Sequence, residues 1–172
     1  LTNHSTNQAV NALKAGLVDF AVVTTPVNLT NDMKSENLCS FNDILIAGPK
    51  YKQLCNKALH LEELQEYPFI SLVEGTGTHD HYTKFFYDND LHFNLDMEAS
   101  TTDQVLAMVQ SNLGLGFYPE QLASEYIMRG EIFPVSLHES VPERDIILIR
   151  ESRHAENIAA KKLINFLKHT TN

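Results

Sequence analysis

The amino-acid sequence predicts an α/β protein made of two lobes, each with its own sheet. Short apolar segments of strand length alternate with segments of helix length along the chain. A break near residues 67–70 separates one β–α series from a second one. With 172 residues and 43% hydrophobic content, the chain can bury a substantial core. We therefore expect two lobes of similar size rather than one continuous sheet.

The first residues predict a helix followed by a strand. Ser5-Thr6-Asn7-Gln8 has the pattern of a capping box, in which two side chains bond reciprocally to backbone N–H groups. Apolar residues follow at helical spacing until Gly16, which supplies a helix stop, so a helix is predicted over 6–15. The apolar run 20–23 predicts a strand buried on both faces, as in a parallel sheet. Residues 1–3 fit the tail of an earlier strand.

The rest of the chain predicts a regular alternation of strands and helices. The predicted elements are two strand-like stretches within 34–49 around a turn at Asn42-Asp43, a helical turn at 61–64, strands at 68–73, 93–99, 114–118 and 145–149, and helices at 79–89, 102–111, 120–129 and 155–169. Pro119 and Gly130 stand where the start and end of the 120–129 helix are expected. Such an alternation indicates crossover connections and a mostly parallel sheet. In the last helix the predicted apolar side carries Ile158, Leu163, Phe166 and Leu167.

Hydroxyl-bearing residues and glycines lie at three predicted strand ends or helix starts. Gly75-Thr76-Gly77-Thr78 follows a strand and opens a helix, where unpaired N–H groups and the helix dipole attract an anion. Thr24 and Thr25 end the first strand, and Thr101 and Thr102 begin a later helix. Open α/β sheets hold ligands at such positions. Each threonine stretch alone is more typical of a cap or a turn, and a tight turn without a ligand is the alternative for the glycine stretch. Together the three stretches predict a ligand site lined by hydroxyl and amide donors.

Motifs for nucleotide binding and catalysis are absent from the sequence. No G-K-S/T follows the glycine stretch, and Asp80 occupies the third glycine position of a dinucleotide fingerprint. G-x-S-x-G, H-E-x-x-H and P-C-x-x-C do not occur. Asp103, His79 and Glu74 are the candidate bases, but each is more typical of a cap or a surface position. We expect no catalytic residue and no enzyme, although an enzyme on this scaffold is kept as an alternative.

Neither a metal site nor a cofactor is predicted. Cys39 and Cys55 stand sixteen positions apart without a C-x-x-C partner, which argues against a zinc site or a disulfide framework. His79 and His81 lie at a predicted helix start, where their side chains diverge by about 200°. The sequence therefore favours ordinary thiols and non-ligating histidines.

The charge and hydropathy of the chain exclude several classes of partner. The formal charge of −9, from 22 acidic residues against 13 Lys and Arg, opposes the phosphates of nucleic acid, so this stretch alone should not hold DNA. No apolar run approaches the roughly 18 residues that span a membrane, and the N-terminal residues lack the features of a signal peptide. We expect a soluble, cytoplasmic protein without a membrane partner.

The order of these segments resembles the effector-binding domain of LysR-type transcriptional regulators, a bacterial family. The stretches that carry the resemblance are ALKAGLVDFAVVTTP, SFNDILIAGP, YPFISLVEGTGT, VLAMVQSNLGLGFYPEQLA and VPERDIILIR. Each is a loose pattern, and the specificity comes from their combination over nearly all of the chain.

The resemblance implies a fold like that of type 2 periplasmic binding proteins. Two Rossmann-like lobes would be joined by two crossover segments, near 67–70 and 141–145, with an effector in the cleft. Lobe I would comprise 1–69 and 143–172, and lobe II 70–142. The resemblance also implies that the first strand and helix of lobe I, with a Ser/Thr-rich turn, and the winged helix-turn-helix that binds DNA are not included in this chain.

The function implied by the resemblance is that of a sensor. A small anionic metabolite would bind Thr24, Thr25, Gly75 to Thr78, Thr101 and Thr102 and shift a conformational equilibrium that controls DNA binding by the full-length protein. Homo-oligomers are implied, a dimer or, at full length, a tetramer. The arginines available as a clamp, all expected at helix ends or on the surface, are Arg129, Arg144, Arg150 and Arg153. A solute-binding protein of a transport system with the same fold is the alternative.

Overall fold

The computed structural model describes residues 1–2, 4–151 and 157–170. In chain order its helices and strands are α1 (Thr6–Lys14), β1 (Ala21–Thr24), β2 (Met33–Phe41), β3 (Asp43–Ala47), 3₁₀ helices at Pro49–Asn56 and Leu61–Glu66, β4 (Phe69–Leu72), α2 (Gly77–Tyr87), β5 (Met97–Ala99), α3 (Thr102–Gln110), β6 (Leu115–Pro119), α4 (Glu120–Met128), β7 (Phe133–Val135), β8 (Arg144–Glu151) and α5 (Ile158–Thr170). The predicted α/β class is confirmed. Every helix within the described residues is too short or too polar to cross a bilayer.

The chain forms two compact units. Unit 1 comprises Leu1–Ser40, Gly75–Gly77 and Arg144–Asn172, and unit 2 comprises Phe41–Glu74 and Thr78–Glu143. These boundaries differ from the expected lobes, because residues 41–69 belong to unit 2 rather than to the unit that holds the chain ends. The physical reason is strand pairing, since β3 bonds to β6 and β7 of unit 2.

Helix α1 of unit 1 begins at the predicted capping box. The Ser5 hydroxyl accepts the Gln8 N–H at 3.4 Å, and the Ser5 N–H donates to the Gln8 side-chain oxygen at 3.1 Å. Gly16 follows the helix with φ of +66°. A residue with a side chain adopts this left-handed conformation only with strain, which explains glycine at this stop.

The sheet of unit 1 has the strand order β1–β8–β2. Strands β1 and β8 are antiparallel, with Ala21 opposite Ile149, so the predicted parallel arrangement is wrong here. The prediction of burial on both faces is also wrong, because Val22 is 42% exposed while Ala21 and Val23 are buried. The apolar run correctly indicates a strand, but it contains no information about the direction of the partner strand and did not show which faces are covered.

The core of unit 1 follows the alternation of side chains along β8. Ile147 and Ile149 point to one face and pack in a cluster with Val10 and Leu13 of α1. Leu148 points to the other face and packs with Leu38 of β2 and Ile164 of α5. Helices α1 and α5 therefore cover opposite faces of the sheet.

Helix α5 buries only one of the four residues predicted on its apolar side, Leu167. Ala160 and Ile164 are buried and Leu167 is partly buried, at spacings of four and three residues. Of the residues expected on its apolar side, Ile158 is 77% and Phe166 is 63% exposed, and Leu163 is exposed as well. The first two residues of the predicted helix, 155–156, lie outside the described residues.

Unit 2 contains a five-stranded mixed sheet with the order β5–β4–β6–β3–β7. Strand β4 runs parallel to β5 and β6, whereas β3 runs antiparallel to β6 and β7. The predicted mostly parallel sheet is thus correct only for its β5–β4–β6 part. Strands β2 and β3, expected as a pair around a turn, belong to different sheets and are separated by Asn42 alone.

Alternation also builds the two faces of the unit 2 sheet. Leu45 and Phe117 point into a cluster that includes the 3₁₀ helices and α2, while Ile46 and Tyr118 point into a cluster with α3 and α4. Both faces are covered, so the strands read as continuous apolar runs.

The strand predicted over 93–99 is shorter in the structure, because its first residues serve another role. Strand β5 begins at Met97, and Phe93 packs with the aromatic rings of Phe86 and Phe69, at centroid distances of 4.9 and 5.7 Å. An aromatic residue in an irregular segment buries as much area as one in a strand, and the sequence does not separate the two cases.

A carboxylate joins two irregular segments of unit 2. Glu139 accepts from His60 Nδ1 at 3.2 Å and from the Leu61 N–H at 2.9 Å, and the His60 ring stacks on His138 at 4.2 Å. Partial burial raises the pKa of Glu139, but the hydrogen bonds from His60 and Leu61 outweigh it, so the pKa lies below its ordinary value.

Glu139→Gln is expected to lower the free energy of unfolding at pH 7 by roughly 1 kcal/mol. When the pH falls, the variant should lose less unfolding free energy than the unmodified protein. A carboxyl whose folded-state pKa is depressed stabilises the protein above its unfolded pKa, and this contribution disappears as the pH falls through the folded value. Denaturant unfolding between pH 7 and pH 3 measures it. Glu98→Gln, at an exposed position of β5, is the control, and identical pH profiles for both variants would contradict the assignment.

Leu115→Ala tests the centre of unit 2. Leu115 is 0% exposed on β6, so removing its side-chain carbons should cost about 2–5 kcal/mol of unfolding free energy. Leu122→Ala removes the same atoms from an exposed position of α4 and should change it by less than about 0.5 kcal/mol. Equal denaturation midpoints for the two variants would show that β6 is not a core strand.

Candidate ligand-binding site

Thr24 and Thr25 lie half-buried at the end of β1, where β8 begins. The Thr25 N–H donates to the Asp145 carbonyl, and the Asp145 N–H donates to the Thr25 hydroxyl oxygen, both at 2.9 Å. Thr24 is paired with Ile146, whose neighbour two positions back, Arg144, is on the same face of the sheet. The predicted strand end is therefore confirmed, and its side chains are held by β8.

Arg144 lies at neither of the positions expected for it from the sequence. It was expected at a helix end or on the surface, but it is 4% exposed. Its Nη2 donates to the Thr24 hydroxyl oxygen at 3.0 Å and its Nε donates to the Thr25 carbonyl at 2.9 Å. A buried guanidinium needs such acceptors, and the strand end supplies them. Only the register of β1 with β8 brings Arg144 to the threonines, and no local pattern encodes that register.

The other three arginines do not lie at this strand end. Arg129 caps the end of α4 and pairs with Glu125 one turn earlier, as expected for a helix end. Arg150 lies further along β8, and Arg153 is outside the described residues.

Asp145 points to the opposite face of the strand from Arg144. Its carboxylate accepts from the Asn37 side-chain amide at 3.1 Å and from the Ser40 hydroxyl at 2.6 Å. The Asp145 carboxylate is therefore hydrogen-bonded to residues of β2 on one face of the sheet, and the Arg144 guanidinium lies beside Thr24 on the other face.

The glycine segment Gly75–Gly77 belongs to the same unit as Thr24 and Thr25. Asn7 of α1 donates through its side-chain amide to the Gly75 carbonyl at 2.5 Å. A Cβ placed on Gly77 would lie 2.7 Å from the carbonyl oxygen of Pro26, the residue after Thr25. Glycine at 77 thus allows the backbones of two distant segments to touch.

Thr78, Thr101 and Thr102 lie in unit 2. Thr101 caps α3, since its hydroxyl accepts the Gln104 N–H at 3.4 Å, and Thr102 is the first residue of that helix. Thr78 is the second residue of α2. The cap interpretation is therefore confirmed for Thr101, and ligand binding by these three threonines stays a prediction.

The candidate bases of the enzymatic alternative have the following surroundings in the described part of the chain. Burial raises the pKa of Tyr118, and the nearby Asp103 carboxylate raises it further. His79 is 3.4 Å from the Thr83 hydroxyl and 3.9 Å from Asp80, neighbours on its own helix. Glu74 is exposed. Within the described residues no group of three His, Cys, Asp or Glu is arranged to hold a metal ion.

Unit 1 also contains a cavity of about 540 Å³ that the sequence did not predict. It lies along β1, between α1 and the start of α5, and its apolar lining includes Leu17, Val22 and Leu163. Asn157 donates to Asp19 at 2.9 Å within the lining. Its lining also contains the polar side chains Thr2, His4, Asp19 and Asn157, so the cavity is mixed in character.

The chain is similar to known proteins at the level of a family model and of individual sequences. The family described as the LysR substrate binding domain matches residues 1–172. The uncharacterized HTH-type transcriptional regulator YwbI of Bacillus subtilis is 27% identical over 107 residues, which cover 62% of this chain and 35% of that protein. The chain spans only 24% to 35% of the length of the first curated relatives that it matches.

Two solved structures share the fold at low sequence identity. The CcmR regulatory domain of Synechocystis in complex with 2-PG has a TM-score of 0.85 at 13% identity, covering 98% of this chain and 80% of that one. The effector binding domain of QuiR in complex with shikimate has a TM-score of 0.82 at 15% identity, covering 98% and 78%.

Gly77→Ala is expected to lower the free energy of unfolding by about 1–3 kcal/mol, because the added methyl group collides with the rigid Pro26 carbonyl. Backbone amide signals near Thr25 should shift as the two segments separate. Gly75→Ala is the comparison: its Cβ meets no atom within 4 Å, so only the strain of φ at +83° applies and the signals near Thr25 should stay in place. The same spectrum for both variants would refute the contact.

Proposed function

This chain belongs to the LysR substrate-binding domain family, and on that premise we propose that it senses a small anionic metabolite for a transcriptional regulator. The observation that carries the proposal is the contact of Gly77 with Pro26, the residue that follows Thr24 and Thr25, within unit 1. Hydroxyl and amide donors at a strand end are the groups that bind carboxylate and phosphate oxygens. The proposed ligand residues are Thr24, Thr25, Gly75, Thr76 and Gly77, with Thr78, Thr101 and Thr102 as further predicted members.

The relatives support a regulator. YwbI is described as an HTH-type transcriptional regulator, and the two similar domains are described in complex with 2-PG and with shikimate. We propose that DNA binding belongs to a helix-turn-helix segment of a longer polypeptide that works in the cytoplasm as a homo-oligomer. The effector would act by binding one conformational state more tightly than another, which shifts the population between them.

Calorimetric titration of the chain with sulfate, inorganic phosphate, 2-PG and shikimate tests the proposed site. At least one of these anions should bind, and Thr25→Val should weaken its binding roughly tenfold, since one hydrogen bond to a charged group is lost. Thr76→Ala should weaken it as well. Thr30→Val makes the same change at an exposed position outside the site and should bind like the unmodified chain.

Two results would count against the proposal. The first is that none of the four anions binds the unmodified chain. The second is that binding is indifferent to Thr25→Val and Thr76→Ala, which would place the ligand elsewhere in the protein.

The coding sequence upstream of Leu1 separates the regulator from the transport alternative. A helix-turn-helix in that sequence supports a regulator, and a secretory signal supports a solute-binding protein of the same fold. The curated relative YwbI is described as a transcriptional regulator, which favours the first alternative.

A further inference from the structure

We infer that Asn7 is a positioning residue: its side-chain amide holds the Gly75 carbonyl toward α1, so that the Thr76 N–H, and not that carbonyl, is offered to a ligand. This role rests on the proposed function, in which Gly75 and Thr76 are ligand residues. Asn7 itself is not among the residues proposed to bind. It acts through the peptide group that joins two of them, and it sets the direction in which that group faces.

The contact between Asn7 and Gly75 has a single direction of donation. Asn7 Nδ2 lies 2.5 Å from the Gly75 carbonyl oxygen. A carbonyl oxygen only accepts hydrogen bonds, and of the two ends of an asparagine amide only the NH₂ group donates. Exchanging the two ends of the amide would bring two oxygens together. The NH₂ end of Asn7 therefore faces Gly75.

The planarity of the peptide bond passes this orientation on to the next N–H group. The Gly75 carbonyl and the Thr76 N–H belong to one trans peptide unit, in which the two groups point in opposite directions. Because the carbonyl is directed at Asn7, the Thr76 N–H is directed away from Asn7. Turning this peptide over would put an acceptor where the donor now stands.

Asn7 projects from the ordered start of a helix. The capping box between Ser5 and Gln8 sets where α1 begins, and Asn7 is the second residue of that helix. The preceding residue faces the same segment, since Thr6 Cβ is 3.8 Å from the place that a Cβ on Gly77 would occupy. The first turn of α1 thus lies against the Gly75–Gly77 segment, and its position is set by bonds within the helix.

The Gly75 end of the segment depends on a support of this kind. A Cβ placed on Gly75 would meet no atom within 4 Å, so side-chain packing does not hold this position. A glycine also has a wide choice of backbone angles, so its own preferences do not fix the direction of its carbonyl. The other end of the segment is held where Gly77 touches the Pro26 carbonyl. Asn7 provides the corresponding support at Gly75.

NMR spectroscopy tests the hydrogen bond without any ligand. In the unmodified chain a scalar coupling across the bond should connect Asn7 Nδ2 to the Gly75 carbonyl carbon. Asn7→Leu keeps the shape of the side chain but has no donor, so the Gly75 carbonyl-carbon signal and the Thr76 amide signal should both shift. Asn11→Leu makes the same change one turn later, at an exposed position of α1, and should leave both signals in place.

Calorimetric titration with sulfate and 2-PG tests the role in binding. Asn7→Leu should weaken binding roughly fivefold, because the released peptide has to be turned back before the Thr76 N–H can donate. Asn7→Gln retains an amide that can reach the carbonyl and should stay within about twofold of the unmodified chain. A role in packing alone would give the opposite order, since leucine has the shape of asparagine and glutamine is longer. Asn11→Leu should bind like the unmodified chain.

Two results would overturn the inference. One is that the Gly75 and Thr76 signals are the same in Asn7→Leu as in the unmodified chain. The other is that Asn7→Leu binds sulfate and 2-PG as tightly as the unmodified chain does, while Thr76→Ala binds them more weakly.

Failure of the proposed function would look different. In that case none of the four anions would bind the unmodified chain, and Asn7 would have no ligand to serve. The coupling between Asn7 and Gly75 would still be observed, which separates a missing ligand from a missing hydrogen bond.

Discussion

Four cross-strand pairs join β1 to β8, from Ala21 opposite Ile149 to Thr24 opposite Ile146. The register of these pairs decides which side chains meet where β1 ends. A shift by one residue would exchange the faces of β8, and would place Asp145 rather than Arg144 beside the Thr24 hydroxyl. The same register holds Ile147 and Ile149 against α1. Core packing therefore supports the geometry of the candidate site, because a slip of one residue would move those isoleucines away from α1.

The candidate site also depends on a segment that lies far away in the chain. Gly77 touches Pro26 because it has no Cβ, and Asn7 of α1 bonds to the Gly75 carbonyl. The segment that precedes α2 is thereby attached to the strand end and to α1. This arrangement brings together three segments that are distant in the sequence.

The charge at this site has the opposite sign to the net charge of the chain. The protein carries a formal charge of −9, yet the strand end has a buried arginine on the Thr24 face. Negative surface charge disfavours nucleic acid and other polyanions, while a small anion in a partly buried site interacts mainly with the nearest charges and donors. Net charge therefore predicts which large partners are excluded and does not predict the ligand.

Much of the fold was accessible from local patterns. The capping box of α1, the stop at Gly16, and the placement of most helices and strands follow from interactions within a few residues, which the sequence displays directly. The errors concern features that local patterns do not encode. Strand direction in unit 1, the separation of β2 from β3 and the buried side of α5 all depend on partners distant in the chain.

The sequence by itself determined the α/β class, the family resemblance, and the choice of hydroxyls and glycines as candidate ligand residues. Tertiary structure alone decided that Arg144 is buried beside Thr24 and that Gly77 contacts Pro26. The physical reason is range. Capping and periodicity act over three or four residues, whereas these two contacts join positions separated by about fifty to more than one hundred residues, where only the register of a sheet and the packing of a core fix the distance.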